Sequence, residues 1–440
     1  MITIFKAYDV RGIFPDELNE DIAYQIGRAF VIFLKTKQVL VGRDGRLSSP
    51  QLFEALAKGI TDQGADVTDI GLASTPMFYF AAAKANASIM VTASHNPKQY
   101  NGFKFCRENA IPISEDTGIQ DIKKLVEKNE FPEPENKGKL TKKDVMEDFI
   151  KHNISFVKTD KKLKVVVDAG NGMGALTFPK IFEKLHFTFI PLYCEMDLSF
   201  PNHEANPIKH ETLKELQKKV KEEKADIGMA LDGDGDRCIV VDEKGKVVSC
   251  DLMTALIGEE ILESSPGSTI LYDLRSSKII NEIIEKHGGK AIMCRVGHSF
   301  IKKQMRDEDA IFAGELSGHF YYKESFFTES SFITLVKLLN LIAAKNKPLS
   351  ELVKPLKKYS QSGEINFEVE DKVAKIKELE EKYKDADKIL HLDGLSIYYR
   401  DWWFNVRPSN TEPLLRLNLE ADAKELMQEK KDEILKIIKS

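Results

Sequence analysis

The sequence predicts an α/β protein with three related α/β domains that contain mixed sheets, followed by a smaller C-terminal α+β domain. Three apolar runs each reach an aspartate and then a polar loop, at 38–45, 164–172 and 269–277. Three further short apolar runs each end in a polar loop rich in reactive side chains, at 87–97, 225–237 and 310–319. Because open α/β sheets bind ligands at their strand ends, three such domains would each deliver one loop to a shared site. The alternative is that strands of α/β proteins simply look alike.

The end of the chain has a different pattern. Residues 394–419 read as strands on either side of a polar loop, and a helical segment follows. Two stretches have the composition of linkers, one at 131–143 and one that begins near Pro355 and passes Gly363. The predicted domains are therefore 1–149, 150–250, 251–357 and 358–440.

Composition excludes several classes of protein. The 440 residues are 42% apolar and 30% charged, as in an ordinary water-soluble globular protein. The net charge of −5 argues against broad nucleic-acid binding, which usually needs a basic surface. The five cysteines contain no CxxC motif, and no apolar run is long enough to cross a bilayer. We therefore expect a cytoplasmic protein with no nucleic-acid or membrane partner, either a monomer or a weak homo-oligomer.

The segment LDGDGDR, residues 231–237, predicts a site for a divalent cation, and we call it the aspartate loop. In an extended loop, Asp232, Asp234 and Asp236 would lie on one side, where their charges repel strongly. An all-oxygen donor set favours Mg²⁺ or Ca²⁺. A calcium loop of the EF-hand type needs glycine at its sixth position, where Arg237 stands. The other alternative is a solvated acidic turn.

The segment TASHNP, residues 92–97, places Ser94 just beyond an apolar run, and we call it the serine loop. A phosphorylated serine would carry nearly two negative charges and three acceptor oxygens. Taken alone, this segment is equally well read as a polar turn. Together with the aspartate loop, it favours a phosphoserine at Ser94 whose oxygen completes the coordination shell of the metal.

Two further loops offer polar groups. The glutamate loop, GELSGH at 314–319, presents Glu315, Ser317 and His319, which suit the hydroxyl groups of a sugar. Taken alone, it is better read as a tight turn with a capping serine. The arginine loop, RPSNTEP at 407–413, combines the donors that bind phosphate, namely Arg407, Ser409, Asn410 and Thr411. A Pro-Ser-Asn turn is the alternative for this loop.

These four loops, in this order, resemble the α-D-phosphohexomutase superfamily, and most closely its phosphomannomutase/phosphoglucomutase branch. The resemblance extends over the whole chain through further motifs, YDVRG at 8–12, GRDGR at 42–46, DIGLASTP at 69–76 and NGFK at 101–104. It implies four domains around a deep central cleft, each contributing a loop. It also implies an enzyme that moves phosphate between the 1- and 6-positions of a hexose.

The resemblance assigns a role to each loop. Ser94 would carry the phosphoryl group, and one Mg²⁺ per chain would be bound by Ser94 and the three aspartates. Glu315 and Ser317 would contact the 3- and 4-hydroxyls of the sugar, and the arginine loop would hold the non-reacting phosphate. A hexose 1,6-bisphosphate would be the intermediate and activator.

The resemblance also implies roles for residues outside the loop centres. His298, in the motif RVGHSF, or Lys104 would take and return the proton of the sugar hydroxyl. The other residues expected close to the phosphoserine are Arg11, His95 and Lys104. The remaining expected substrate contacts are Tyr8, Arg237, Arg275 and His319.

One departure from the family pattern bears on substrate preference. Many relatives have an Asp-rich stretch after the glutamate loop, whereas residues 326–334 contain Glu329 as their only acid. Phosphoglucosamine mutase is the first alternative, although Leu316 and Asn410 look more like the mannose/glucose branch. A metal-dependent sugar phosphatase and a non-catalytic sugar-phosphate binder are the others.

Overall fold

The computed structural model describes residues 3–408 and 414–439, which form four β-sheets that follow one another along the chain. None of the described helices is both long enough and apolar enough to cross a membrane.

The first sheet is flanked by four helices and contains the longest strands of the first three sheets. Its elements are β1 (Val10–Ile13), α1 (Glu20–Leu34), β2 (Gln38–Arg43), α2 (Ser49–Asp62), β3 (Asp66–Leu72), α3 (Thr75–Ala82), β4 (Ala87–Val91), β5 (Tyr100–Arg107), β6 (Ile111–Pro112), α4 (Ile119–Lys128) and β7 (Leu140–Lys142). Strand β4 is buried along its whole length, as a central strand covered on both faces should be.

The second and third sheets each have five strands. The second is built from α5 (Met146–Ile154), β8 (Lys164–Asp168), α6 (Gly174–Phe182), β9 (Thr188–Leu192), α7 (Lys214–Glu223), β10 (Ile227–Leu231), β11 (Cys238–Asp242) and β12 (Val247–Val248). The third is built from α8 (Cys250–Ser264), β13 (Thr269–Asp273), α9 (Ile279–Lys286), β14 (Lys290–Cys294), α10 (His298–Asp307), β15 (Phe312–Gly314), β16 (Phe320–Tyr322), β17 (Thr328–Glu329), α11 (Ser331–Lys345) and α12 (Leu349–Val353). A continuous apolar core joins these two sheets to part of the first.

The first three sheets share one strand order. In the second sheet, β8 is central, β9 and β10 pair with it in parallel on either side, and β11 returns antiparallel to β10. The same arrangement holds for β2, β3, β4 and β5 in the first sheet. It holds again for β13, β14, β15 and β16 in the third. The prediction of three related α/β domains with mixed sheets is confirmed.

The fourth sheet forms the C-terminal part of the protein and has six strands. Its elements are β18 (Ser360–Gln361), β19 (Ile365–Glu368), α13 (Lys372–Lys382), β20 (Lys388–Leu390), β21 (Leu395–Tyr398), β22 (Trp402–Pro408), β23 (Leu414–Ala421) and α14 (Lys424–Lys439). All its strand pairs are antiparallel, and it has an apolar core of its own. The predicted C-terminal α+β unit is confirmed.

The two predicted linkers are partly built into the sheets. Within 131–143, strand β7 pairs in parallel with β3, and Arg28 donates a hydrogen bond to the carbonyl of Pro132. Strand β18 pairs with β23 and so belongs to the fourth sheet. Composition alone predicted loops because short edge strands can be polar and exposed, as all three residues of β7 are.

Helices α1 and α2 approach each other closely through two glycines. A Cβ atom added to Gly59 would lie 2.1 Å from the carbonyl oxygen of Tyr24, and one on Gly27 would lie 2.4 Å from that of Leu56. Both distances are far below van der Waals contact, so backbone packs against backbone at this crossing. Only glycine fits at these positions without moving a helix.

Gly59→Ala should therefore lower the stability of the protein. Helix propensity alone would favour alanine by about 1 kcal/mol, so a net loss of about 1–3 kcal/mol would report the steric contact. The measurement is the thermal unfolding midpoint followed by circular dichroism. The control is Glu54→Ala on the exposed face of α2, which should change stability by less than about 0.5 kcal/mol. Equal midpoints for Gly59→Ala and the wild type would show that the helices are not in backbone contact.

Candidate active site

The serine, aspartate and glutamate loops occupy equivalent positions in the first three sheets. They connect β4 to β5, β10 to β11, and β15 to β16, so each follows the third strand of the shared order. The loops touch one another directly. The Oγ atom of Ser94 donates to Oδ2 of Asp232 at 3.0 Å, and Nε2 of His319 lies 3.3 Å from Oδ1 of Asp236. Three separate domains thus converge on one site.

Ser94 lies in a left-handed backbone conformation, with a φ of 50°, and is 4% exposed. Its N–H donates to the hydroxyl of Thr92, and its own hydroxyl lies 3.3 Å from Nδ1 of His95. The nearby charge of Arg237, together with burial, holds the pKa of His95 well below its usual value. His95 is therefore neutral beside the serine at neutral pH.

The aspartate loop is a tight turn and not the extended segment that the alternation of residues suggested. Oδ1 of Asp232 accepts the backbone N–H groups of Gly235, Asp236 and Arg237, each at 3.1 Å. This turn still brings carboxylate oxygens of Asp232, Asp234 and Asp236 within 4.8 Å of one another. Burial and the charges of the other two aspartates raise the pKa of Asp232 well above its usual value.

Lys104, on β5, is the main positive charge facing the aspartate loop. Its Nζ atom lies 2.8 Å from Asp234 and 2.7 Å from Asp236. Burial would lower the pKa of Lys104, but the two carboxylates outweigh it and raise the pKa. Arg11, on β1, adds a hydrogen bond to the carbonyl of Thr92 in the serine loop and pairs with Asp9. Both predicted basic residues therefore reach the site.

The glutamate loop is hydrogen-bonded internally. Oε2 of Glu315 lies 3.0 Å from Nδ1 of His319 and accepts from the hydroxyl of Tyr321, also at 3.0 Å. The hydroxyl of Ser317 lies 2.9 Å from the same Nδ1 atom. Burial lowers the pKa of His319, but the carboxylates of Asp236 and Glu315 outweigh it and raise the pKa to about 9. His319 therefore links the glutamate loop to the aspartate loop as a charged group.

Tyr8 and His298 lie against each other at the boundary of the first and third sheets. Their ring centroids are 5.7 Å apart, and the hydroxyl of Tyr8 donates to the carbonyl of Val296. Burial and the charge of Lys302 hold the pKa of His298 well below its usual value. His298 begins α10 and faces the carboxylate of Glu329 at 3.9 Å.

Arg275 and Arg407 approach each other from the third and fourth sheets and share one carboxylate. Oε2 of Glu364 lies 2.9 Å from Arg407 and 3.4 Å from Arg275. Arg275 also pairs with Asp273 at 2.8 Å. The other predicted residues of the arginine loop, Ser409, Asn410 and Thr411, lie outside the described residues.

A cavity of about 710 Å³ brings nine of the predicted residues onto one surface, whereas Ser94, Arg11, Lys104 and the three aspartates are not among its lining residues. Residues of all four sheets and their loops line it, including Tyr8, His95, Arg237, Arg275, His298, Glu315, Ser317, His319 and Arg407. Its size is typical of a small-molecule site.

Comparison with known proteins assigns the family. Residues 3–133, 143–245 and 249–359 match the alpha/beta/alpha domains I, II and III of phosphoglucomutase/phosphomannomutase, and residues 364–437 match its C-terminal domain. The chain belongs to the phosphoglucomutase/phosphomannomutase family. Each matched region of the family carries one of the four loops, in the order that the sequence predicted.

Relatives are similar over their whole length. A phosphomannomutase of Methanocaldococcus jannaschii is 43% identical over 99% of this chain and 98% of its own. A phosphomannomutase of Escherichia coli is 40% identical over 100% of this chain and 99% of its own. The crystal structure of a phosphoglucomutase/phosphomannomutase family protein from Burkholderia thailandensis is 34% identical, has a TM-score of 0.93, and aligns over 100% of this chain and 98% of that one.

The aspartate loop of this family member fits a divalent cation. Oδ1 of Asp234 is buried and has no hydrogen-bond partner among the described residues. Asp232, Asp234 and Asp236 are each at most 1% exposed, and unpaired buried carboxylates are costly. The donors are all oxygen atoms, which a hard cation prefers.

Sequence reasoning missed three residues around the site. Thr75 donates to Asp234 at 2.6 Å, Lys302 pairs with Glu329 at 2.7 Å, and Arg46 binds the serine loop. Arg46 and Thr75 lie in motifs that carry the family resemblance, 42–46 and 69–76, but the motifs alone do not show what these side chains touch.

Mg²⁺ should raise the thermal unfolding midpoint of the protein, and Asp234→Asn should abolish that rise. A ligand at 100 times its dissociation constant stabilises the folded state by about 2.7 kcal/mol. The measurement is a thermal melt with EDTA and with increasing Mg²⁺.

The matched control is Asp242→Asn, in the hairpin turn of the same sheet, where the carboxylate accepts the N–H groups of Lys244 and Lys246. That variant should keep the rise in midpoint with Mg²⁺. If the thermal unfolding midpoint of the wild-type protein does not change with Mg²⁺, the prediction of a cation site is wrong.

Proposed function

We propose that this protein is a phosphohexomutase that interconverts hexose 1-phosphate and hexose 6-phosphate, with mannose or glucose as the sugar. The observation that carries the proposal is the 3.0 Å contact between Oγ of Ser94 and the carboxylate of Asp232. This contact places a buried hydroxyl against a cation site, beside a cavity large enough for a sugar phosphate.

Four segments would share the work. Residues 1–149 would carry the phosphoserine, 150–250 the metal, 251–357 the sugar contacts and 358–440 the contacts to the second phosphate. We assign one role to each segment because the four loops belong to four different sheets.

Mg²⁺ is the cation that we propose, held by Asp232, Asp234, Asp236 and an oxygen on Ser94. When bound, it would supply Lewis-acid neutralisation of the transferring phosphoryl group. Arg11 and Lys104 would bring two further positive charges close to the phosphoserine. The carboxylates of Asp234 and Asp236 raise the pKa of Lys104, which would serve as a charge partner of the transferring phosphoryl group.

The group that accepts the proton would have to be neutral at the start. His298 and His95 both have lowered pKa values and line the cavity. We propose His298 as the proton shuttle for the sugar hydroxyl and His95 as a group that supports Ser94, whose hydroxyl is 3.3 Å away.

The remaining cavity residues would bind the substrate. Glu315 and Ser317 would accept and donate hydrogen bonds to the sugar hydroxyls. Arg237 would lie near the reacting phosphate. The other proposed substrate contacts are Tyr8, Arg275, His319, Arg407, Ser409, Asn410 and Thr411. An Arg guanidinium binds phosphate through two parallel hydrogen bonds, which suits a group that must be recognised in two orientations.

The reaction would be a two-step relay because the two phosphorylation sites lie at opposite ends of the hexose. In the first step the P–O bond to Ser94 breaks and a P–O bond forms to the free sugar hydroxyl; the hydroxyl proton passes to the proton shuttle, and the Ser94 oxygen takes up a proton to become a hydroxyl. The product is a hexose 1,6-bisphosphate, which turns around in the cavity. In the second step its other phosphoryl group returns to Ser94. Alignment and charge neutralisation supply most of the acceleration in such transfers.

Two alternatives differ in what they would release or bind. A phosphatase would liberate inorganic phosphate as fast as substrate disappears, whereas the relay returns every phosphoryl group to Ser94. A phosphoglucosamine mutase would prefer a 2-amino sugar. The full-length similarity to two phosphomannomutases favours mannose or glucose.

Ser94→Ala should abolish mutase turnover, because the hydroxyl proposed to hold the phosphoryl group between the two steps is removed. The assay couples formation of hexose 6-phosphate from mannose 1-phosphate, glucose 1-phosphate and glucosamine 1-phosphate to a dehydrogenase, with inorganic phosphate measured in parallel. Intact-mass analysis should show one phosphate on the wild type and none on the variant. Near-normal turnover by Ser94→Ala, or stoichiometric phosphate release by the wild type, would overturn the proposal.

Glu315→Gln should lower kcat/KM for every hexose phosphate by about 10- to 100-fold, the effect expected for loss of a charged hydrogen bond of about 1.5–3 kcal/mol. Phosphorylation of Ser94 should be unaffected, because Glu315 contacts His319 and Tyr321 and not the serine loop. The measurement is the steady-state rate with each sugar. The control is Glu324→Gln, because Glu324 follows β16 and pairs with Lys337 on α11. An unchanged kcat/KM for Glu315→Gln would contradict its role as a sugar contact.

A further inference from the structure

Arg46 is a buried arginine whose guanidinium group binds the backbone of the serine loop. It follows β2 and is 1% exposed. Its Nη2 atom donates to the carbonyl oxygens of Ser94 and Asn96, both at 2.7 Å. Its Nη1 atom donates to those of Pro97 and Tyr100, at 2.9 and 3.1 Å. Four carbonyl groups from one short segment therefore point at a single side chain.

The fifth N–H of Arg46 is also used. Nε donates to Oδ2 of Asp44 at 3.1 Å, and Oδ1 of Asp44 accepts the backbone N–H of Arg46 and the hydroxyl of Ser49. An arginine side chain has five N–H donors in a rigid plane, so every one has a partner here. Lysine has three donors on one nitrogen and cannot reproduce this pattern.

The segment that Arg46 holds begins with a strained residue. Ser94 has a positive φ, which costs a residue other than glycine on the order of 1 kcal/mol or more. Such a conformation persists only where the surroundings determine it. On the other side of the loop, a Cβ atom on Gly233 would lie 2.5 Å from the carbonyl oxygen of Ser94, so the aspartate loop presses directly on the same peptide.

We infer that Arg46 is a positioning residue that fixes the serine loop in this conformation and so keeps the Ser94 hydroxyl at the aspartate loop. The inference rests on the proposed function for the role of Ser94. Arg46 itself does not line the cavity. The guanidinium carbon of Arg46 lies 5.6 Å from the centroid of the Phe200 ring.

Removal of these hydrogen bonds should affect catalysis more than substrate binding. A displacement of about 1 Å at a reacting group can lower a rate by about 100-fold. We therefore expect Arg46→Met to lower kcat by about 100-fold or more, and Arg46→Lys to lower it less, because lysine keeps the charge that balances Asp44. KM for the sugar phosphate should stay within about threefold for both, since the residues proposed to bind substrate do not touch Arg46.

The experiment measures kcat, KM and backbone hydrogen exchange in residues 92–100, on Arg46→Lys, Arg46→Met and the wild type. The matched control is Arg43→Met, at the end of β2 just before Arg46. The guanidinium of Arg43 binds Asp69 and lies over Phe53, not on the serine loop. Exchange in residues 92–100 should rise in both Arg46 variants and stay at the wild-type level in Arg43→Met. If Arg46→Met does not fold, Arg46→Lys carries the test.

Two outcomes would overturn the inference. One is a folded Arg46 variant in which the rate of backbone hydrogen exchange in residues 92–100 equals that of the wild type. The other is a loss of kcat that Arg43→Met shows equally, since that would report general stability. A wild-type protein without mutase turnover would instead contradict the proposed function. In that case the hydrogen-exchange measurement alone would decide whether Arg46 positions the serine loop.

Discussion

The structure depends on a set of like charges buried at the meeting point of three domains. Asp232, Asp234 and Asp236 are almost completely excluded from water, and two unit charges 4 Å apart repel by about 4 kcal/mol even at an effective dielectric constant of 20. Lys104 and the charged His319 offset two of the three charges, and Oδ1 of Asp232 is satisfied by backbone N–H groups. The remaining negative charge explains why the site is suited to a cation, and Ser94 is the hydroxyl that lies against it.

Repetition of one strand order explains how this convergence is built. In each of the first three sheets the functional loop follows the third strand, at the carboxyl end of a parallel pair. The same strand order therefore occurs three times, and the functional loop after its third strand has a different sequence each time. The fold class and the positions of the loops could be predicted for this reason. The apolar runs 87–91, 227–231 and 312–314 are short, buried strands, and short apolar runs bounded by polar turns are the sequence pattern of buried strands.

Contacts between domains could not be predicted in the same way. The chemistry of the two loops predicted that Ser94 meets the aspartate loop, but the hydrogen bond itself joins residues 138 positions apart and depends on how the domains pack. The alternation of aspartate and glycine predicted an extended aspartate loop, but the loop forms a turn in which backbone N–H groups donate to the carboxylate of Asp232. A buried carboxylate needs hydrogen-bond donors, and here the backbone supplies them. Arg46 shows the same limit. Its motif is visible in the sequence, whereas its four carbonyl partners are set by a loop 48–54 residues away.

The carboxylate of Glu364 has a consequence for the entry of any anion. It bridges Arg407 in the fourth sheet and Arg275 in the third, and its side chain is 29% exposed. An incoming phosphate that engages these guanidinium groups has to compete with an acid already present, and the displaced acid can turn to solvent at little desolvation cost. The carboxylate of Glu364 thus acts as a counter-ion shared by the third and fourth sheets. A dianion that binds Arg275 and Arg407 in its place would also change the ion pairs that join these two sheets.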